Sequence, residues 1–276
     1  MCRLLGVLRS GYYHYEKKPK DPQGQQRHEE MLSHIRWLAE ASDSSYGSRR
    51  MKKAMNILGY PISRDKARAL MREAGVRVRQ RKKYKVTTNS NHKQPVYDNL
   101  LQREFNVAQV DQVYAADVTY IWTQEGWLYL AVVMDLCSRK VVGWSMSSRM
   151  KAQLVCDALR MAIWRRRPKA GLIHHSDRGS QYASKDFRCL LKTHGFKGSM
   201  SRKGDCWDNA VVESFFGSLK QERVQWSNYQ TRYEAQQDIL DYIAVFYNGR
   251  RLHSTLGYMS PNEFEKRLTN KLKNVA

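Results

Sequence analysis

The chain has 276 residues and carries 48 Lys+Arg against 26 Asp+Glu, a formal net charge of +22 at pH 7. Its 42% hydrophobic content is enough for a packed core and argues against wholesale disorder. The charge surplus points to a polyanionic partner, nucleic acid ahead of an anionic membrane surface, and no apolar run is long enough to span a bilayer.

The N-terminal "LLGVL" is too short for a signal-peptide core, so a cytosolic chain is expected. The five cysteines form no C-x-x-C pair and read as free thiols rather than as a zinc site. Residues 28–41 place Met31, Leu32, Ile35, Leu38 and Ala39 at helical spacing. Two shorter helices are predicted at about 48–58 and 63–74, across a "GYP" turn, with Ser63 positioned to cap the second and Gly75 to end it. The pair carries Arg49, Arg50, Lys52, Lys53, Arg64, Lys66 and Arg68, and reads as a helix-turn-helix that contacts DNA. A helical hairpin with a solvated basic face is the plainer alternative. Residues 1–85 are therefore expected to form a helical DNA-binding region, and residues 86–110 a basic and polar, flexible linker.

From 111 onward the pattern is α/β. "QVYAADVTYIWT", "WLYLAVVMDLCS" and "RKVVGWSMS" read as three strands, the second apolar enough to be covered on both faces. A helix at 150–164, the strand "GLIHHSD", a helix at 184–194 and a strand at "FKGSMS" follow. A helix from about 209 to 224, with Asp208 or Asn209 as its cap, and an amphipathic helix through "TRYEAQQDILDYIAVFYNGRR" complete the order. That order predicts a mixed sheet with helices packed on it over residues 111–270, and a short tail at 271–276.

Three carboxylates stand out in this core. Strand alternation puts Asp117 on a face with Val113, Ala115, Thr119 and Ile121, where a lone charge is a poor core residue without a partner. Asp177 directly follows a predicted strand, a common place for function in such sheets. Glu213 interrupts the apolar run of Val211, Val212, Phe215 and Phe216. Converging at one sheet edge, the three would make a hard-oxygen site suited to Mg²⁺ or Mn²⁺, and two such ions can work on a phosphodiester. Lys220 lies on the same helical face as Glu213, with Gly217 between them, and reads as a DNA contact. Gly217 is read as room for a DNA backbone ahead of close helix packing. Arg178 is either a phosphate contact or half of a salt bridge. Asp135 reads as a strand-end acid that pairs with Arg139 or caps its turn, His174 and His175 as hydrogen-bonded structural histidines, and Trp207 as loop packing.

Several blocks together resemble the DDE transposases of bacterial insertion sequences, in particular the second-reading-frame (OrfB) products with a retroviral-integrase-like core. They are "AADVTYIWTQEGWLYLAVVMDLCSRKVVGW", "GLIHHSDRGSQYAS", "SMSRKGDCWDNAVVESFFGSLKQE" and "FYNGRRLHSTLGYMSPNEF". The resemblance implies an RNase H-like fold and a catalytic, metal-holding triad of Asp117, Asp177 and Glu213, with 35 residues between the last two. Lys220 matches the basic residue that the family places seven after the Glu. Tyr114 stands where such proteins often carry Trp. The implied activity is metal-dependent strand cleavage followed by strand transfer at element ends. The implied partners are terminal-repeat and target DNA, an upstream-frame product joined by frameshifting, and further copies of the chain, all in the bacterial cytoplasm at the nucleoid. The rivals are an RNase H-like nuclease that cuts without joining and a non-enzymatic DNA-binding regulator.

Overall fold

The computed structural model describes residues 2, 6, 8–16, 21–79, 95–202 and 206–273, and the chain divides into two compact units, Met1–Val78 and Arg79–Ala276. Part of the predicted linker, residues 86–94, and the last three residues of the predicted tail lie outside the described residues.

The first unit is helical: α1 (Arg9–Glu16), α2 (Pro22–Ala41), α3 (Ser48–Ile57) and α4 (Arg64–Glu73). Helix α2 starts at Asp21, whose carboxylate accepts from the Gln23 amide, with a proline in the first turn. Ser63 caps α4 by accepting from the Lys66 amide at 3.1 Å, and Gly75 follows its end at φ 72°. Helices α2, α3 and α4 pack on one another through buried Ile35, Ala39, Met51, Ala54, Met55, Ala67, Leu70 and Met71. The basic side chains stay outside this core: Arg49, Lys53, Arg64, Lys66 and Arg68 are exposed and Arg50 and Lys52 half-buried.

The second unit is built on a five-stranded sheet of order β3-β2-β1-β4-β5. Its strands are β1 (Val113–Thr123), β2 (Gly126–Asp135), β3 (Val141–Ser147), β4 (Ile173–Ser176) and β5 (Lys197–Met200). The first three form an antiparallel meander, and β4 and β5 add in parallel on the other side of β1. This is the RNase H-like arrangement expected from the resemblance. Helices α5 (Ala152–Arg166) and α6 (Lys185–Thr193) cover one face, against Tyr114, Ala116, Ala131, Val133 and Val142. Gly143 lets α5 approach closely, because a Cβ there would run into the Ala158 carbonyl. Helices α7 (Ala210–Glu222) and α8 (Arg232–Asp241) lie against β1 on the other side, and α9 (Pro261–Lys273) follows.

The structure departs from expectation in three places. The described part of the predicted linker, 95–110, packs onto the core instead of running free. Leu101 is buried, the Leu100 amide donates to Ser199 Oγ at 2.9 Å, and Tyr97 lies where a Cβ on Gly198 would be. The single helix read through 231–251 is α8 followed by a π-helical turn, Tyr242–Tyr247, in which Tyr242 donates to Glu222 Oε2 at 2.7 Å. Gly217 is buried, so close packing and not DNA accounts for it.

Candidate active site

Strand β4 pairs only with Val113–Ala116 of β1. From Asp117 onward that edge of β1 has no β4 partner, and α7 lies against the strand. This brings together Asp117 on β1, Asp177 one residue beyond β4, and the first turn of α7. Asp117 accepts from the Val118 amide at 2.7 Å. Asp177 accepts from the Gly179 amide at 2.9 Å, and a Cβ on Gly179 would stand 3.0 Å from that carboxylate.

The electrostatics show that these groups share one neighbourhood. Burial, then Asp177, pushes the Asp117 carboxyl well above the usual carboxylate range, with Glu213 raising it further and Lys220 opposing. Burial and Asp177 likewise raise Glu213. Burial lowers the Lys220 ammonium, and Asp117 partly restores it. Lys220 Nζ also sits over the Tyr120 ring at 4.9 Å from its centroid. Among the described residues, no three His, Cys, Asp or Glu side chains already stand together as a formed metal-ligand set.

The start of α7 is fixed differently from the expected cap. Asn209 occupies the cap position but makes no side-chain bond to the helix; its amide donates to the Ala116 carbonyl at 3.2 Å, beside Asp117. Asp208 is fully buried and is also no cap. Its oxygens accept from Arg103 Nε (2.8 Å), Asn99 Nδ2 (2.9 Å), the Arg202 amide (2.9 Å) and the Arg202 guanidinium (3.1 Å). The Arg202 guanidinium above all holds this carboxyl below the usual range. The far end of α7 is tied by a buried fork: Arg251 Nε donates to Glu222 Oε2 at 2.8 Å and Nη2 to Oε1 at 2.6 Å. Both residues escaped the sequence reading. The available signal was Glu222 in the apolar stripe of Phe215 and Leu219, where a carboxylate needs a partner.

The other sequence candidates have defined places. Arg178 Nε donates to the Ser201 carbonyl at 2.7 Å, joining the segments after β4 and β5. Asp135 caps its own turn, accepting from the Ser138 amide (2.7 Å), Ser138 Oγ (2.9 Å) and the Asp111 amide (2.7 Å), and lies across from Tyr114 at the start of β1. Arg139 instead donates to the Phe105 carbonyl. His174 and His175 are buried, and burial lowers them to about 3 and about 4. His175 bonds Ser199 at 2.9 Å and His174 packs against Phe187. Tyr114 is fully buried and donates to Asp111. Tyr182, missed from sequence, is buried with no partner for its hydroxyl among the described residues; burial, then Asp117 and Asp177, raises its pKa. The Trp207 and Cys206 side chains lie outside the described residues, and the four cysteines that are described are free thiols. No described helix is long and apolar enough to cross a membrane.

Comparison with known proteins shows what the chain is similar to. Residues 107–206 and 213–268 match two families, each described as "Integrase core domain", and residues 26–84 match one described as "HTH-like domain". Transposase InsF for insertion sequence IS3A, from Escherichia coli strain K12, is 42% identical over 268 residues, covering 97% of this chain and 93% of that protein. The insertion element IS600 uncharacterized 31 kDa protein of Shigella sonnei is 43% identical over 268 residues, covering 97% and 98%. Among solved structures, the catalytic core of BIV integrase shares 18% identity at a TM-score of 0.43, covering 59% of this chain and 99% of that one. The HTLV-2 integrase core in complex with magnesium shares 16% at 0.43, covering 57% and 97%. With its HTH-like region, its integrase core and its near-full-length identity to InsF, the chain belongs to the family of insertion-sequence transposases.

Proposed function

We propose that Asp117, Asp177 and Glu213 are the catalytic carboxylates of this transposase and together hold Mg²⁺ or Mn²⁺, as two ions in the working complex. The observation that carries the reading is the mutual electrostatic influence of the three acids and Lys220 where β1 loses its β4 partner. Three carboxylates with no thiol or imidazole make a hard-oxygen donor set, and a divalent cation offsets the burial, and the repulsion added to it, that raise Asp117 and Glu213. When bound, the ions supply Lewis-acid charge at the scissile phosphodiester.

The chain's own groups do the rest. Lys220, held over Tyr120 and attracted by Asp117, positions a phosphate beside the acids. Asn209 and the Asp208 cluster hold the start of α7, and so Glu213, against β1. Arg178 keeps the Asp177 turn next to the segment after β5 and offers charge to the DNA backbone. The α3–α4 pair, with Arg49, Arg50, Lys52, Lys53, Arg64, Lys66 and Arg68, binds element ends. Cleavage frees a 3′-hydroxyl, which attacks a second phosphodiester, so no serine or tyrosine nucleophile is required. On DNA the chain acts as a homo-oligomer and as a frameshift fusion to an upstream-frame product, a reading that rests on the likeness to second-frame transposases.

The test is an assay with labelled duplex containing the element end and a target duplex, with MgCl₂ or MnCl₂. Metal-dependent nicks and joined products are expected. Cutting without joining would leave a nuclease, and binding without cutting under either ion would leave a regulator.

A further inference from the structure

The face of the β1–β2 hairpin that carries Tyr120 and Trp122 extends beyond the helices that cover its inner part. Trp122 and Trp127 are cross-strand partners in the register, and Tyr120 pairs with Tyr129 on the same face. Farther in, Tyr129 and Val118 pack into the core under α5 and α6. The outer end stays partly open: Trp122 is 54% and Trp127 43% exposed. The rings form a ladder. Trp122 and Trp127 meet edge to face with centroids 4.8 Å apart, Trp127 and Tyr120 edge to face at 5.0 Å, and the Lys220 ammonium lies over Tyr120 at 4.9 Å. The opposite face of the hairpin is closed, with Ile121 and Leu128 buried. Arg232 on α8 pins the tip by donating to the Trp127 and Glu125 carbonyls, while its own amide donates to the Glu125 carboxylate.

A tryptophan pair left half in water on a hairpin fixed from behind is a preformed surface, since little ordering is needed to use it. Its neighbours choose the occupant. One end of the ladder is the cation Lys220, which also lies in the field of Asp117. A cation in line with exposed indoles suits a chain of phosphates bearing flat bases, because every base presents a π-face to an aromatic ring whatever its sequence.

We infer that Trp122 and Trp127, continued by Tyr120 and Lys220, form a stacking platform for unpaired bases of a DNA strand whose backbone runs to the carboxylate site. This rests on the transposase reading of that site and adds a ligand class to it: single-stranded DNA at a frayed or nicked end.

The experiment measures binding of the full chain to a labelled dT₂₀ oligonucleotide and to a blunt duplex by fluorescence anisotropy. The Trp122→Ala/Trp127→Ala variant is expected to bind dT₂₀ at least roughly tenfold more weakly, the loss of about one base–aromatic stack, with duplex affinity unchanged. The Trp122→Phe/Trp127→Phe variant is expected to keep most of the dT₂₀ affinity, which separates stacking from misfolding. Asp117→Asn is expected to bind dT₂₀ normally while failing to cleave, so loss of chemistry and loss of stacking are distinguishable. Wild-type dT₂₀ affinity in the Ala variant would overturn the platform and leave the transposase reading standing. So would an equal loss on dT₂₀ and duplex, or a change in oligomeric state without a change in dT₂₀ affinity, which would make the face a contact between protein chains.

Discussion

At the scale of single residues, the site carries a cost that its chemistry explains. Asp117 has a folded-state pKa above its ordinary value, so its unfavourable charge is absent at acid pH and grows as pH rises through the carboxylate range. Without divalent ions, Asp117→Asn is therefore expected to be more stable than the wild type near neutral pH, on the order of 1 kcal/mol, or about 2–4 °C in Tm for a unit of this size. Mg²⁺ or Mn²⁺ should raise the wild-type Tm and leave the variant unmoved; a melting series over metal concentration reads both. The same substitution, with Asp177→Asn and Glu213→Gln, should lower cleavage and joining by roughly 10²–10³ or more while leaving DNA binding in place, since binding comes from Lys and Arg. Near-normal joining by any one of the three would remove that residue from the triad.

At the scale of elements, α7 is the part on which the site depends, and it is anchored at both ends by buried charge. At its start, Asp208 has a depressed folded-state pKa, so the stability it contributes is present above the ordinary carboxylate range and is lost as pH falls through that range toward the folded value. An Asp208→Asn variant should be less stable at pH 7 by roughly 2 kcal/mol and show a flatter decline in acid; parallel curves for both proteins would mean that another acid sets the limb. At its other end, Arg251→Met leaves Glu222 buried without its cation and should cost about 3–5 kcal/mol in urea unfolding, most of it recovered by adding Glu222→Gln. These anchors also show what the sequence could and could not convey. The strands, α4 with its Ser63 cap and the positions of Asp117, Asp177 and Glu213 follow from periodicity, strand ends and a charge in an apolar run. The partners do not, because Asp208 is met by Arg103 and Asn99 more than a hundred residues earlier in the chain, and Glu222 by Arg251 from beyond a π-helical turn. Local patterns show that a buried carboxylate needs a partner; only the folded sheet brings that partner to it. The same reason turned Asn209 away from capping, since the Ala116 carbonyl at the open edge of β1 lay within its reach.

At the scale of the whole molecule, the chain divides into two units, Met1–Val78 and Arg79–Ala276, and the proposed function assigns recognition to the first and chemistry to the second, so the two should respond to different perturbations. Replacing Arg49, Arg50, Lys52 and Lys53 by Ala should weaken binding to duplex and make log K against log salt shallower by about 0.9 for each phosphate that is no longer neutralised, whereas the triad variants should leave that slope unchanged. An unchanged slope would mean that this face of α3 is only solvated. The division also limits how sharply the chain alone can select its ends. One helix-turn-helix reads few base edges, and each well-made base contact discriminates by about 1–3 kcal/mol, so a single module reaches only the lower part of the range typical of specific sites. Tethering a second module converts its binding into an intramolecular step, worth about 10²–10⁴ in avidity. A fusion of this chain to an upstream-frame product that itself binds the ends is therefore expected to separate element ends from random DNA better than the chain alone by a factor in that range. The measurement is competition binding of both proteins against the two DNAs at one fixed salt concentration. If the unfused chain discriminates as sharply as the fusion and joins ends without it, the HTH-like unit is sufficient and the split-frame reading is wrong.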